Sequence, residues 1–320
     1  MAKKDKILII GACGQIGVEL TLALRKLYGN DNVVATDIRD EHPLLAGTGP
    51  YTTLNAMDGA AIHELIKKES ITQIYLLAAL LSATGEKDPK RAWDINMQSL
   101  LQVLDLGVQE KLDKIYWPSS IAVFGHTTPR EFTPQHTIVE PRTVYGISKY
   151  AGELWCQYYF QRWGLDVRSL RYPGLISWKS DPGGGTTDYA VEIYHEALKH
   201  NRYTCFLSEN TFLPMMYMND AIRGTIELME SSAEKIKSRM AYNISAISFS
   251  PADIAASIAY HIPEFKISYQ PDFRQQIADG WPKSIDDRAA RSDWGWQHEY
   301  DLNKMTYDML KHLRQKMQIA

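Results

Sequence analysis

The sequence predicts an α/β chain: a doubly wound parallel sheet with a smaller carboxyl-terminal lobe. Three observations carry this. Short β-rich apolar runs alternate with helical patterns through the first half, a glycine-rich turn follows the first run, and after about residue 178 the alternation loosens. Alternation of this kind means βαβ units whose parallel strands are covered on both faces.

In chain order the strand runs are KILII, NVVATDI, TQIYLLAA, DKIYWPSS and LDVRSLRYPG. Between them lie amphipathic segments such as Gly59 to Glu69 and Ala92 to Glu110, expected as helices. Ile74 to Leu81 is the longest apolar run and reads as one buried strand, far short of the roughly 20 residues that cross a bilayer. Later strands are expected at YTCFL, PMMYM, AYNIS and KISYQ, and the tail from Asp301 to Ile319 as a surface helix. The expected division is residues 1–178 plus about 212–247 as a cofactor-binding domain, with 179–211 and 248–320 as a substrate lobe. Repeats, low-complexity tracts and flexible linkers are absent from the sequence.

At 320 residues, with 45% apolar and 23% charged, the chain has globular composition. A formal net charge of −3 argues against a nucleic-acid partner, which needs clustered Lys and Arg. Small molecules are the expected partners, with no membrane. MAKKDK runs directly into ILII without a signal-like apolar region, so a cytoplasmic protein is expected. Cys13, Cys156 and Cys205 are odd in number and widely spaced, which fits free thiols. No His/Cys/Asp cluster has metal-ligand spacing, so no metal site is predicted.

ILIIGACGQIGVEL places Gly11, Gly14 and Gly17 after a strand and at the opening of a helix. In a dinucleotide site such glycines allow the tight turn, the approach of backbone to pyrophosphate, and close helix packing. The helix amino terminus then offers free NH groups to phosphate. About 20 residues on, at the end of the next strand, Asp37 is placed to accept both adenosine ribose hydroxyls. A carboxylate there repels a ribose phosphate, so NAD is favoured over NADP, with Arg39 softening the discrimination. Gln15, Ile16, Ile38 and Asp58 complete the candidate cofactor contacts on these segments.

VYGISKYAGE sets Tyr145 and Lys149 one helical turn apart on one face. A tyrosine acting as base near pH 7 needs roughly 4 kcal/mol of phenolate stabilisation, and a nearby ammonium supplies much of it. The same spacing recurs at Tyr300/Lys304 and Tyr307/Lys311, where a solvated face explains it. Tyr145 differs by following the strand whose carboxyl end, WPSSIAVFG, presents Ser119 and Ser120. Ligands of such sheets bind outside the carboxyl ends of the strands.

The glycine turn, the serine and Tyr-x-x-x-Lys, in this order, resemble the extended short-chain dehydrogenase/reductase family over essentially the whole chain. The resemblance implies a Rossmann-like fold, Tyr145 as catalytic acid/base, and Lys149 binding the nicotinamide ribose and lowering the tyrosine pKa. It implies Ser120 rather than Ser119 as the residue holding the substrate oxygen, because the family's serine lies five residues before the glycine corresponding to Gly125. Leu175 matches a position lining the nicotinamide, and the helix after Tyr145 implies a homodimer.

The second half, LRYPGLISWKSDPGGGTTDYAVEIY and CFLSENTFLPMMYMNDAIRGTIELM, resembles the short-chain L-threonine 3-dehydrogenases within that family. This implies NAD-dependent oxidation of L-threonine. A zwitterionic amino acid needs an anion for its ammonium and donors for its carboxylate; Asp188 offers the first, and Thr186, Thr187 and nearby amides the second. Ser82 is either a further substrate contact or a helix cap. Gly183 to Gly185 read as a hinge centred on Gly184 rather than a phosphate loop, since the P-loop lysine is missing. The alternatives are an NAD-containing nucleotide-sugar epimerase or dehydratase, and a non-catalytic NAD-binding protein.

Overall fold

The computed structural model describes residues 5–183 and 185–319. The chain divides into two compact units, one of Met1–Ser120, Arg142–Arg171 and Ile222–Tyr242, the other of Ile121–Pro141, Tyr172–Ala221 and Asn243–Ala320. Compared with the expected division, 121–141 fall in the second unit and the stretch returning to the first is 222–242. Local pattern carries no information about which sheet a loop covers.

The first unit is built on β1 (Ile7–Ile10), α1 (Gln15–Tyr28), β2 (Val33–Asp37), β3 (Tyr51–Thr53), α2 (Gly59–Glu69), β4 (Gln73–Leu76), α3 (Pro89–Gln109), β5 (Lys114–Tyr116), α4 (Val144–Trp163) and β6 (Val167–Arg168). The strands form one sheet in the order β3-β2-β1-β4-β5-β6, with every neighbouring pair parallel. Ile7 is paired with Val33 on one side and with Gln73 on the other, so the order reverses at β1 and opens a crevice at its carboxyl end. Helix boundaries follow local chemistry. Asp58, Asp88 and Thr143 cap α2, α3 and α4 through side-chain oxygens, Pro89 opens α3, and Gly164 ends α4 in the left-handed conformation. Leu8, Ile74, Leu100, Val103, Ile115, Trp117 and Cys156 belong to one buried core between sheet and helices.

Two expected strands are shorter than the sequence suggested. The run Ile74 to Leu81 leaves the sheet after Leu76, and Asn96 of α3 captures the departing backbone by accepting from Leu80 N and donating to Leu80 O. LDVRSLRYPG breaks into Val167–Arg168, Leu170–Tyr172 and Gly174–Ile176, which pair in different sheets. β3, which makes the sheet's edge, was not anticipated, nor was the strand Ile247–Phe249.

In the second unit, Leu213–Tyr217 is the middle of a three-stranded sheet, parallel to Gly174–Ile176 and antiparallel to Ile247–Phe249. Arg202–Cys205 pairs in parallel with Lys266–Tyr269. The tail helix is Leu302–Met317, and it is not merely a surface helix. Met305, Met309, Leu310 and Leu313 recur at helical spacing and are buried in this unit's core, at 3% exposure or less. Cys13, Cys156 and Cys205 are buried free thiols. Among the described residues no helix is long and apolar enough to cross a membrane, and no group of His, Cys, Asp and Glu is placed to hold a metal ion.

Candidate active site

The turn after β1 is shaped by close backbone approach. Gly11 has φ +95°, and a Cβ there would stand 2.6 Å from Ala78 N. A Cβ on Gly17 would stand 2.2 Å from Gly11 O, so glycine is what lets α1 start directly against the strand end. The N-cap of α1 is Gly14, which has no side chain to cap the helix, and its first turn carries no acidic residue. Its amides and dipole are therefore suited to an anionic group.

A cleft of about 310 Å³ lies at this point, lined by Gly11, Gly14, Asp37, Ile38, Arg39, Leu54, Ala56 and Leu77 to Leu80. Asp37 ends β2 and is 5% exposed. Burial opposes its ionisation, but the Arg39 guanidinium and the backbone NH groups of Arg39 and Cys13 outweigh that and hold the carboxyl below its ordinary value. Gln15 is exposed on the first turn of α1, beside half-buried Ile16. Asp58 does not line the cleft; its Oδ1 accepts from Ala61 N at 3.0 Å and caps α2. The crevice, open helix end and carboxylate together fit a dinucleotide.

The second part of the site stands at the end of β5. Helix α4 sits close because Gly152 faces Trp117, where a Cβ would be 2.3 Å from the ring. That approach brings Lys149, 3% exposed, over the Trp117 ring at 4.3 Å, with Nζ donating to Pro118 O at 2.6 Å. The ammonium lies 5.5 Å from the Tyr145 ring centroid. The Tyr145 hydroxyl is hydrogen-bonded to Ser120. Ser119 is turned the other way: its Oγ donates to Glu153 Oε1 at 2.6 Å, and Glu153 is also held by Arg171 through bonds of 2.9 and 2.7 Å. Strand alternation has thus sent neighbouring serines to opposite tasks.

Burial pushes the Tyr145 phenol up to about 12, partly offset by Ser120. Burial also brings Lys149 down to about 7, against the opposing influence of Cys156 and Glu153. In this geometry the hydrogen bond from Ser120 is the influence that lowers the phenol, while Lys149 Nζ donates to Pro118 O. Sequence reasoning missed Asn96. Besides holding Leu80, it donates to Ser148 Oγ at 3.1 Å, and Ser148 in turn donates to Tyr145 O, so it ties the cleft wall to the helix carrying Tyr145. Its one signal is an amide on the apolar face that Ala92, Leu100 and Val103 define.

Ser82 is the first residue of the helical turn Ser82–Gly85, whose N-cap is Leu81, so Ser82 is not the cap. In the second unit, Leu175 lies on a strand paired with Met216, and Thr186 is 4% exposed. Asp188 Oδ2 accepts from Gly183 N at 2.6 Å and Gly185 N at 2.9 Å, so the carboxylate closes the glycine loop. Gly184, read as the centre of a hinge, lies outside the described residues.

A doubly wound parallel sheet with a glycine turn at its switch point and an acidic end on the neighbouring strand defines a dinucleotide-binding α/β protein. The model of the NAD dependent epimerase/dehydratase family matches residues 7–245, and the chain belongs to that family. It is 48% identical over 316 residues, 98% of this chain and 99% of the relative, to an uncharacterized epimerase/dehydratase of Staphylococcus haemolyticus. Among solved structures, the holo form of a GalE-like L-threonine dehydrogenase from Cupriavidus necator is 56% identical, covering 96% of this chain and 99% of that one, with a TM-score of 0.94. A partial-consensus L-threonine 3-dehydrogenase is 58% identical over 97% of this chain and 99% of its own, also with a TM-score of 0.94. The protein is an NAD-dependent oxidoreductase.

Proposed function

We propose that this protein oxidises the 3-hydroxyl of L-threonine to 2-amino-3-oxobutanoate, with NAD rather than NADP as acceptor and Tyr145 as general base. The observation carrying the reading is the Ser120–Tyr145 hydrogen bond beside buried Lys149, in a chain whose solved relatives include L-threonine dehydrogenases. Gly11, Gly14 and Gly17 shape the turn, and the open end of α1, with Gln15 and Ile16, holds the pyrophosphate. Asp37, Ile38 and Arg39 hold the adenosine ribose, and Lys149 and Leu175 serve the nicotinamide end. Bound NAD supplies the acceptor for the hydride leaving threonine Cβ.

Ser120 Oγ holds the substrate oxygen and Tyr145 Oη takes its proton. With burial raising it to about 12, the phenol must be brought down before it can take that proton at neutral pH. Lys149, brought to about 7, is the nearby group whose charged form favours the phenolate. Thr186 and Asp188 hold the charged ends of the amino acid, with Ser82 as a further contact. The amides of Gly183 and Gly185 fix the direction of the Asp188 carboxylate, and residues 182–188 carry no cation of the kind a nucleotide-sugar diphosphate requires. Ile147, Leu154, Trp155 and Tyr158 form an exposed stripe on α4, and we read it as the face of a homodimer.

The test is absorbance of NADH with L-threonine and NAD, against controls with UDP-sugars. Wild type should form NADH only with threonine, and Tyr145→Phe should lose about 10²–10⁴-fold in rate while still binding NAD. Near-normal turnover in that variant, or turnover of a UDP-sugar without net NADH, removes the reading.

A further inference from the structure

Asp37 does not orient itself. Its Oδ2 accepts from Cys13 N at 3.0 Å, and its Oδ1 from Arg39 N at 3.1 Å and Arg39 Nε at 3.0 Å. The direction of the carboxylate therefore depends on where residues 38–40 lie. That segment has left the sheet: Ile38 is 68% exposed and the Arg39 side chain 60%, so packing does little to fix it.

Its carbonyls are held instead. Tyr51 Oη donates to Arg39 O at 2.7 Å, while Cys13 Sγ lies 3.5 Å from Asp40 O and 3.4 Å from Tyr51 Oη. Tyr51 opens β3, and the register Ala35↔Tyr51 and Asp37↔Thr53 sets that edge strand alongside the carboxyl half of β2. One phenol and one thiol thereby tie together the glycine turn, the segment after β2 and the edge strand. Burial pushes the Tyr51 hydroxyl above the ordinary tyrosine range, so it stays a donor at neutral pH.

We infer that Tyr51, seconded by Cys13, is the positioning residue that decides which dinucleotide the cleft accepts. By fixing Arg39 O it keeps Arg39 folded onto Asp37, with the carboxylate aimed at a ribose diol, instead of releasing a guanidinium to a 2′-phosphate. A fixed carboxylate accepts two hydroxyls well and repels a phosphate; a released arginine does the reverse. The inference rests on the reading of this cleft as the NAD site.

Calorimetric titration of the full chain with NAD and with NADP tests it in wild type, Tyr51→Phe, Cys13→Ala and Asp37→Ala. Tyr51→Phe should raise the NAD dissociation constant about fivefold, the net worth of one hydrogen bond, without raising that for NADP, so the NADP/NAD ratio falls. Cys13→Ala keeps the amide on Asp37 and should move the ratio the same way by a smaller factor. An unchanged ratio in Tyr51→Phe overturns the inference, whether both affinities hold or both weaken alike; the second result means that the phenol only stabilises the edge strand. Failure of the cofactor reading looks different: wild type binds neither dinucleotide, or Asp37→Ala leaves the ratio untouched, and either result overturns the inference with it.

Discussion

Replacing Ser119 and Ser120 one at a time by alanine should separate stability from catalysis between adjacent residues. Ser119 is 2% exposed and donates to Glu153, which is itself fully buried, at 2.6 Å. A hydrogen bond to a charged group contributes about 1.5–3 kcal/mol. Because Arg171 still holds Glu153 through two bonds, Ser119→Ala is expected at the lower end, about 1.5 kcal/mol, with kcat within a few-fold of wild type. Ser120 meets the Tyr145 hydroxyl and is only half-buried. Its replacement should leave stability within about 0.5 kcal/mol and lower kcat by about 10²-fold. Urea unfolding by circular dichroism gives the first quantity, and NADH formation at saturating threonine and NAD gives the second. If Ser119→Ala were the variant that lost turnover and kept its stability, the assignment of the two serines would be reversed and the reasoning wrong.

The pH dependence of stability carries a sign that Lys149 sets. Its folded pKa near 7 lies below the ordinary lysine value, so from about pH 7 to 10.5 the unfolded chain binds the extra proton and stability rises with pH. Tyr145, raised to about 12, acts oppositely from about pH 10, where the folded chain keeps the proton. In urea titrations between pH 7 and 9.5, wild type should therefore gain stability relative to Lys149→Met; parallel curves contradict the buried, neutral lysine. Light scattering on the wild type should give the mass of a dimer, and Trp155→Glu, which charges the exposed α4 stripe, should give that of a monomer. A monomeric wild type rules out the paired helix.

Local pattern was enough for much of this chain. The alternation of apolar runs and amphipathic segments yields the parallel sheet, since periodicity depends on neighbours in sequence. The glycine turn is legible for the same reason: Gly11, Gly14 and Gly17 sit within one strand-turn-helix unit, and their crowding is set by a few adjacent residues. Tyr145 and Lys149 share a face because helical geometry says so.

What the sequence left open was every feature fixed by a partner distant in the chain. Ile74 to Leu81 reads as a single strand until Asn96, on another helix, takes the backbone of Leu80. The tail reads as a surface helix until its apolar stripe finds the second core. Residue chemistry does not separate Ser119 from Ser120, and in the sequence only the family resemblance favours Ser120; Glu153 and Arg171 on one side and Tyr145 on the other distinguish them physically. Even the direction of the Tyr145 and Lys149 pKa shifts was set by burial, which the spacing of the two residues does not encode. The sequence by itself determined the fold class, the cofactor turn and the residues available for chemistry, because those follow from short-range periodicity and local backbone geometry. The tertiary structure alone decided which of those residues face the site and in what ionisation state, because desolvation and hydrogen-bond partners come from segments that meet only when the chain has folded.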